Sequence, residues 1–450
     1  HSSEYPTTNE ILNQLVKRPW ENRDPMNAIT KSHQEALNYL NGKSYREALA
    51  DNTLSFDVIN QINELKANDL FMQVILKGVP AANFHQFVQN FMKQNRFQQT
   101  NFQTFDNAFF EKFGWQLSEI FPMYFNQREL PAFRVKNFRK KRILSPSEKE
   151  GDPWTPHSKF NIEFDVLNES DVNGVISLYL ESIIIPKGED PVIDRNIYTP
   201  RSFAVKAREA KKIIFIYEGI PNSQSIHTGL SKNRPNMFKI YDEVFLHEKK
   251  TEYTTDSIAR EEPIPTSIFF PPANEIIVDN KDSGFHIINP PAPWLSRILG
   301  IENEHHHISF FKAVSHWESQ VSTDYFGGYN QSAVGKATRK GKAALTWTTP
   351  IDKKGKYKIY AYIPNNSYRE EVRRTRWSDN PIRDIQYYYS ISYKGSSKKD
   401  VKVHAPETSK WVFLGEFMLP EGKCSVTLYD IGLPGQCVVG DAIKWVYQKP

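Results

Sequence analysis

The stretch YREEVRRTRW brings aromatic rings and guanidinium groups close together in the sequence. Aromatic faces stack on sugar rings, and arginine holds hydroxyl or carboxylate groups through paired hydrogen bonds. This combination predicts a site for an acidic polysaccharide. The alternative is a solvated loop in which the arginines pair with Glu370 and Glu371. The ligand-binding candidates are Tyr368, Arg373, Arg374, Arg376 and Trp377.

Two other stretches contain residue types that bind metals, but neither has the spacing of a metal site. In ENEHHHISF, the consecutive residues His305 to His307 would alternate between the faces of a strand, which disfavours one tetrahedral site. In VDNKDSGF, Lys281 stands where the EF-hand pattern needs an oxygen ligand, so we expect an Asx-type turn before Gly284.

The sequence also lacks the common catalytic motifs. The zinc-protease pattern H-E-x-x-H is absent, since HEKKT ends in Thr251, and no phosphate loop or nucleophile elbow occurs. We therefore predict no catalytic residue, no metal site and no cofactor in this chain. An unrecognised hydrolase would need an acid/base pair that the sequence does not locate, so whether the chain is an enzyme stays open.

Charge and hydropathy give no reason to expect nucleic acid or a membrane span. The chain has 57 basic and 52 acidic residues, a nearly balanced set with a net charge of +5. No run of about 18 apolar residues could span a bilayer. The basic run that begins at Arg134, RVKNFRKKR, is expected to guard a solvated strand edge. The segment from Lys136 to Trp154 is typical of a linker or long edge loop.

The first part of the chain has helical periodicity. From Thr30 to about Gln127, apolar residues recur at helical spacing, with Ser55 as a predicted N-cap and Gly114 as a predicted helix end. Short loops between such helices imply antiparallel neighbours. Residues 1–130 are therefore predicted to form a helical bundle, which ends before Pro131 because proline cannot continue a helix.

The rest of the chain is rich in strands. KFNIEFDVL alternates Phe160, Ile162, Phe164 and Val166, and it is followed by further strands with no helical pattern between them. This predicts one antiparallel β-sandwich over residues 131–274 and a second, jelly-roll-like β-sandwich over residues 275–450. The predicted fold class is multidomain α plus β, with an N-terminal helical bundle followed by two antiparallel β-sandwiches.

Tryptophans and cysteines give two further expectations. Four tryptophans within strand patterns are expected to belong to the sandwich core instead of a ligand platform. These are Trp317, Trp347, Trp411 and Trp445. Cys424 and Cys437 flank the turn GLPGQ in a register that does not place them opposite each other, so we expect two free thiols. The redox compartment is left open.

The helical stretch ends in the string TNFQTFDNAFFEKFGWQLSEIFPMYFNQRELPAFRV. Over about residues 55–135 it resembles the C-terminal part of gluzincin aminopeptidases, the relatives of aminopeptidase N. The resemblance implies a zinc metallopeptidase parent whose catalytic domain, with its zinc, would precede this region. In that family the helical repeat shapes the peptide channel. The residues in register are Phe105, Gly114, Leu117, Phe121, Phe125, Gln127 and Pro131.

The C-terminal stretch contains the series IVDNKDSGF, SHW, DYFGGY, AALTWT, GKYKIYAYIP, WVFLGEF and VVGDAIKW. Over about residues 275–448 it resembles the golvesin C-terminal-like module, which is grouped with carbohydrate-binding β-sandwiches. It departs from that pattern by two long insertions, one of which contains the stretch YREEVRRTRW. Loop insertions are where specific binding tends to reside.

Together these two resemblances imply the non-catalytic C-terminal portion of an aminopeptidase-like protein that ends in a glycan- or surface-binding module. The expected partners are a polysaccharide or cell-surface glycan and an upstream catalytic domain of the same polypeptide. The alternative is a free-standing extracytoplasmic adhesion or carbohydrate-binding protein whose helices are a spacer. Both imply an extracytoplasmic location: periplasmic, cell-surface or secreted.

Overall fold

The computed structural model describes residues 31–152, 154–155, 157–184, 192–194, 201–240, 252–289, 316–364, 385–393, 397–406, 408–432 and 436–448. The chain divides into two compact units, His1–Phe269 and Phe270–Pro450. The helices and the first set of strands share the first unit. The predicted fold class is confirmed, with helices first and antiparallel sheets after them.

Six α-helices are described in the first unit. Ser55 is the N-cap of α3 and accepts a hydrogen bond from the backbone N–H of Val58, as predicted. Gly114 ends α5 with a left-handed φ of 80°, also as predicted. The helices are α1 (Lys31–Leu40), α2 (Tyr45–Ala50), α3 (Phe56–Leu76), α4 (Ala81–Gln94), α5 (Phe102–Phe113) and α6 (Phe121–Asn126).

The central helix α3 buries most of its circumference, from Val58 to Val74. It packs against α1 and also against two strands of the first unit, β3 (Gly174–Ile184) and β5 (Arg201–Val205). A helix that is apolar on several sides belongs inside a fold. The helix α3 therefore packs between α1 and the sheet that contains β3 and β5, while residues of all six described helices share one hydrophobic core.

Two sheets form the β part of the first unit. One has the order β10-β6-β2-β1-β9, and the other runs β4-β3-β7-β8 with β5 paired to β3. All pairs are antiparallel except β1 with β9, which is parallel. The alternating residues of β2, from Phe160 to Val166, are fully buried in the core between the sheets, as predicted. The remaining strands are β1 (Phe133–Ile143), β2 (Lys159–Asn168), β4 (Val192–Asp194), β6 (Ala210–Glu218), β7 (Ile220–His227), β8 (Met237–Ile240), β9 (Glu252–Thr254) and β10 (Arg260–Pro263).

The basic run is a strand and not a linker. It forms β1, which pairs with β2 along most of its length and with the three-residue β9 only at Lys141–Ile143, so residues 134–140 lie at the edge of the sheet, as expected. Carboxylates neutralise its charges: Lys141 lies 2.5 Å from Glu163, and the buried Arg142 lies 2.9 Å from Glu148. The expectation of a linker was wrong, and the expectation of solvated charges fails at Lys141 and Arg142, because ion pairs within the sheet and its loops compensate these two cations.

The regular elements of the second unit, within the described residues, are strands. One sheet has the order β11-β22-β16-β19, a second β12-β15-β20-β17-β18 and a third β13-β14-β21. The described pairs between these strands are antiparallel. The strands are β11 (Glu275–Val278), β12 (Phe285–Ile288), β13 (Glu318–Val321), β14 (Ser332–Ala337), β15 (Lys340–Ile351), β16 (Gly355–Ile363), β17 (Gln386–Tyr393), β18 (Ser397–His404), β19 (Lys410–Leu419), β20 (Gly422–Ile431), β21 (Cys437–Gly440) and β22 (Ile443–Gln448).

The core of the second unit lies between these sheets. It includes the fully buried Trp347 and Trp445 and the nearly buried Trp317, which confirms three of the four predicted core tryptophans. Cys424 and Cys437 are buried and free, as expected. Among the helices of the described residues, none combines the length and the apolar character needed to cross a membrane.

Candidate functional site

The ligand-binding residues predicted from the sequence lie outside the described residues. This applies to Tyr368, Arg373, Arg374, Arg376 and Trp377, and also to the histidines from His305 to His307. The prediction that they bind a glycan therefore stays a prediction. The strand β16 ends at Ile363, a few residues before Tyr368.

The acidic turn VDNKDSGF is described, and it makes a compact turn. The Asp282 carboxylate accepts a hydrogen bond of 2.8 Å from the backbone N–H of Asp279, and the Asp282 carbonyl accepts one from the N–H of Phe285. The second bond closes a backbone β-turn, and the first ties the Asp282 side chain back to the residue three before it, so the expected turn is present, although these two bonds are not those of an Asx-turn. Within the ranges that the structure describes, no group of three or more histidine, cysteine or acidic side chains is arranged to hold a metal ion.

A cluster of aromatic side chains covers the outer face of the sheet β11-β22-β16-β19. Tyr360 and Tyr362 alternate along β16 with the fully buried Ile359, Ala361 and Ile363, so their rings point away from the core. Trp411 and Phe413 lie opposite them on β19. Phe326, from the loop between β13 and β14, completes the cluster. These five residues are called the aromatic platform: Phe326, Tyr360, Tyr362, Trp411 and Phe413.

A β-bulge sets the orientation of the β19 side chains. The register between β16 and β19 shifts between Ile359 and Tyr360, so that Leu414 is an extra residue. Leu414 is buried, whereas Phe413 is 49% exposed. Bulges re-aim side chains in this way. The bulge therefore keeps one apolar residue in the core and leaves its neighbour on the outer face.

The rings of the aromatic platform contact one another at steep angles. Trp411 lies 5.4 Å from Tyr362 with an interplanar angle of 77°, and Phe326 lies 5.0 Å from Trp411 at 65°. Tyr360 and Phe413 are 5.4 Å apart at 53°. Edge-to-face contacts of this kind are favourable for aromatic pairs. They hold the rings in fixed, mutually inclined positions, which makes the surface faceted instead of flat.

A single cation lies over the middle of the aromatic platform in the described part of this sheet. The Lys444 Nζ is 4.8 Å from the centroid of the Trp411 ring and 5.4 Å from that of Tyr360. It lies 3.6 Å from a carboxylate oxygen of Glu275, beyond hydrogen-bond distance. The ammonium group therefore keeps donor capacity for a hydroxyl or carboxylate group of a ligand.

The buried Asp441 fixes the loop that carries Phe326. Its Oδ2 accepts a hydrogen bond of 2.8 Å from the Phe326 N–H, and its backbone carbonyl accepts one of 3.0 Å from the Trp347 indole N–H. Burial raises the pKa of Asp441 well above that of an ordinary carboxyl group. Gly327, which follows Phe326 in the sequence, has a φ of 146°, and a Cβ added to it would collide with the Asn330 carbonyl oxygen. Only glycine fits this loop conformation.

The expectation that Trp411 belongs to the core was wrong. Its ring is half-buried on the outer face, whereas the other three tryptophans are buried. The signal was in the sequence, because IYAYI and WVF both place aromatic residues in the alternate phase to aliphatic ones. A half-buried aromatic row on the outer face, beside a buried aliphatic row, is a candidate interaction surface.

Comparison with known proteins gives one family match. No curated protein matches the sequence. Among solved structures, a xanthan lyase from Paenibacillus is 13% identical, with a TM-score of 0.26, over 70% of this chain and 26% of that one. The CBM35 from Cellvibrio japonicus Abf62 is 10% identical, with a TM-score of 0.23, over 39% of this chain and 94% of that one. An isomalto-dextranase from Arthrobacter globiformis T6 is 10% identical, with a TM-score of 0.21, over 68% of this chain and 39% of that one.

These TM-scores are too low to support a conclusion about fold or ligand, and this chain spans about a quarter of the xanthan lyase. The family match has a defined place in the chain. It begins at residue 302 and ends at residue 447, so it includes all five residues of the aromatic platform. Residues 302–447 match the family of the golvesin C-terminal domain.

Proposed function

We propose that the C-terminal β-sandwich is a carbohydrate-binding module and that the aromatic platform is its ligand surface. The observation that supports this most strongly is the row of outward-facing rings on β16 and β19, within the golvesin-type match. Sugar rings present C–H groups on their faces, which pack well against aromatic rings. The platform offers such faces next to the Lys444 ammonium group.

The inclination of the rings indicates which form of polysaccharide the surface fits. Rings that are inclined by 53° to 77° cannot all lie against one flat surface. A single hydrated chain can follow a faceted surface because each sugar unit turns relative to the next. We therefore propose a soluble polysaccharide chain as the ligand, and not a crystalline sheet of chains.

The test is a glycan array probed with the full chain and with Trp411→Ala. We expect binding to one class of polysaccharide, and we expect Trp411→Ala to lose it. A matched control is Ile287→Ala, because Ile287 is 45% exposed on β12, in a different sheet of the same unit. No binding on the array, or equal binding by Trp411→Ala and wild type, would contradict the proposal.

The predicted loop site is tested in the same experiment. Trp377→Ala and the charge-removing Arg374→Gln address the residues that lie outside the described part of the chain. If both variants reduce binding together with Trp411→Ala, the loop and the aromatic platform serve one ligand. If they bind as wild type does, the loop prediction is wrong and the platform proposal is unaffected.

We also propose that the chain is the non-catalytic part of an extracytoplasmic, aminopeptidase-like protein. The support is the resemblance of residues 55–135, whose predicted helix end at Gly114 is present. A coding sequence upstream of His1 with H-E-x-x-H and a later glutamate would support it. An upstream sequence without any such motif would favour the alternative, a free-standing adhesion or carbohydrate-binding protein. Fractionation of the native host would test the location.

A further inference from the structure

The first unit contains a cavity that the carbohydrate-binding proposal does not use. It has a volume of about 210 Å³ and lies between α3, α6 and the strands β3 and β5. Its wall combines apolar and polar side chains, and the exposed side chains of Met123 and Asn173 border it. The apolar side chains of the wall include Leu76, Ile120, Leu130, Val175, Ala204 and Leu230.

Two charged side chains of α3 lie in this wall. Lys66 is buried, with 5% of its side chain exposed, and its Nζ lies 3.6 Å from a carboxylate oxygen of Asp69. The Lys66 Nζ donates a hydrogen bond of 2.7 Å to the Tyr124 carbonyl and lies 3.8 Å from the centroid of the Tyr124 ring. The ammonium group is thus occupied by partners within the protein.

The carboxylate of Asp69 has room for a further partner. Its side chain is 22% exposed and lies in a cavity to which many apolar side chains contribute. Its partners on the protein side are the side chain of Gln73, which donates a hydrogen bond, and the ammonium group of Lys66, whose Nζ lies 3.6 Å away in a long ion-pair contact. An ionised carboxylate accepts up to about four hydrogen bonds. Of the two charges, the negative one is therefore the one that the cavity presents to a ligand.

The surroundings make a positive partner favourable. Burial raises the pKa of the Asp69 carboxyl group, and the charge of Lys66 opposes that shift only in part. A cation in the cavity would stabilise the ionised carboxylate in an environment of low dielectric constant, where such contacts are strong. The apolar part of the wall would at the same time bury the body of the ligand.

We propose that this cavity binds a small organic cation, a primary amine or guanidinium group on an apolar body, with its charged group on the Asp69 carboxylate. The site lies in the first unit and does not depend on carbohydrate binding. Its size fits one small molecule and not a chain of residues.

The experiment uses benzylamine, benzyl alcohol and benzoate as probes of the full chain, with binding measured by saturation-transfer NMR titration. The three probes share one ring and differ in charge. We expect saturable binding of benzylamine, about tenfold tighter than that of benzyl alcohol, because a charge-assisted hydrogen bond is worth more than a neutral one. Benzoate should not bind in the cavity.

Two variants locate the binding. Asp69→Asn keeps the shape of the side chain and should remove the preference for benzylamine. Met123→Trp narrows the cavity at a side chain that is 55% exposed, so the fold should tolerate it, and it should abolish binding. Met92→Trp, at a 42% exposed residue of α4, is the matched control and should bind as wild type does.

Three results would overturn the proposal. The first is the absence of saturable benzylamine binding to the wild-type chain. The second is equal affinity for benzylamine and benzyl alcohol. The third is benzylamine binding that survives both Asp69→Asn and Met123→Trp. If Asp69→Asn alone fails to fold, the comparison of Met123→Trp with Met92→Trp decides the location.

Discussion

The substitution Lys336→Met should destabilise the C-terminal sandwich strongly. Lys336 on β14 and Asp430 on β20 form an ion pair of 2.5 Å that joins two different sheets, and their side chains are 3% and 2% exposed. Asp430 also accepts a hydrogen bond of 3.3 Å from the Ala343 N–H. Removal of the ammonium group would leave a buried carboxylate with this one weak partner.

The expected cost follows from that burial. Loss of one partner from a buried pair costs about 3–5 kcal/mol, because the remaining charge is left without compensation. The exposed pair of Lys356 and Glu416 has the same 2.5 Å distance, but its side chains are 53% and 34% exposed. Lys356→Met should therefore cost about 0–1 kcal/mol. The double substitution Lys336→Met with Asp430→Leu should restore most of the lost stability, since it removes both charges.

Native-state hydrogen exchange, followed by mass spectrometry, measures this cost within the unit concerned. Amides of β14 and β20 report on local stability even though the full chain has more than one unit. We expect much faster exchange in Lys336→Met than in Lys356→Met. Equal exchange rates in the two variants would refute the argument that burial, and not the distance between the charges, determines how much each ion pair contributes to stability.

Three further predictions concern pH, a glycine and the thiols. Burial lowers the pKa of His227 to about 4 from an ordinary 6.5, so the unfolded chain takes up a proton at this residue before the folded chain does as the pH falls. From pH 7 to pH 5, the free energy of unfolding of the wild type should therefore fall by about 1–2 kcal/mol more than that of His227→Gln. Urea denaturation at the two pH values measures this difference. Gly327→Ala should displace the Phe326 loop and weaken glycan binding without a change in circular dichroism. Burial raises the pKa of Cys424 and of Cys437 to about 11, so a thiol reagent should modify them only after urea unfolds the protein.

Much of the fold could be predicted because local signals agreed with tertiary packing. The N-cap at Ser55, the helix end at Gly114 and the alternation along β2 each rest on a backbone or burial requirement that the sequence states directly. The basic run was expected at a strand edge, but the buried ion pairs at the end of β1 were missed because its charges suggested solvent. Which carboxylates compensate Lys141 and Arg142 depends on strand pairing, which charge patterning does not reveal.

The aromatic platform was only partly predictable. The phase of Tyr360 and Tyr362 relative to their aliphatic neighbours was visible in the sequence, yet the place of Trp411 depends on a register shift between β16 and β19. The approach of Phe326 depends on the loop that Asp441 fixes, far away in the sequence. The cavity beside Asp69 could not be predicted because helices and strands that are distant in sequence form its wall.

The central claim is tested most directly by calorimetric titration of the polysaccharide that the array identifies into wild type, Trp411→Ala and Ile287→Ala. A central ring that packs against a sugar is worth about 2 kcal/mol, so Trp411→Ala should bind roughly 30-fold more weakly. Ile287→Ala should match wild type. Unchanged affinity in Trp411→Ala, with the fold intact, would show that the glycan binds somewhere other than the aromatic platform.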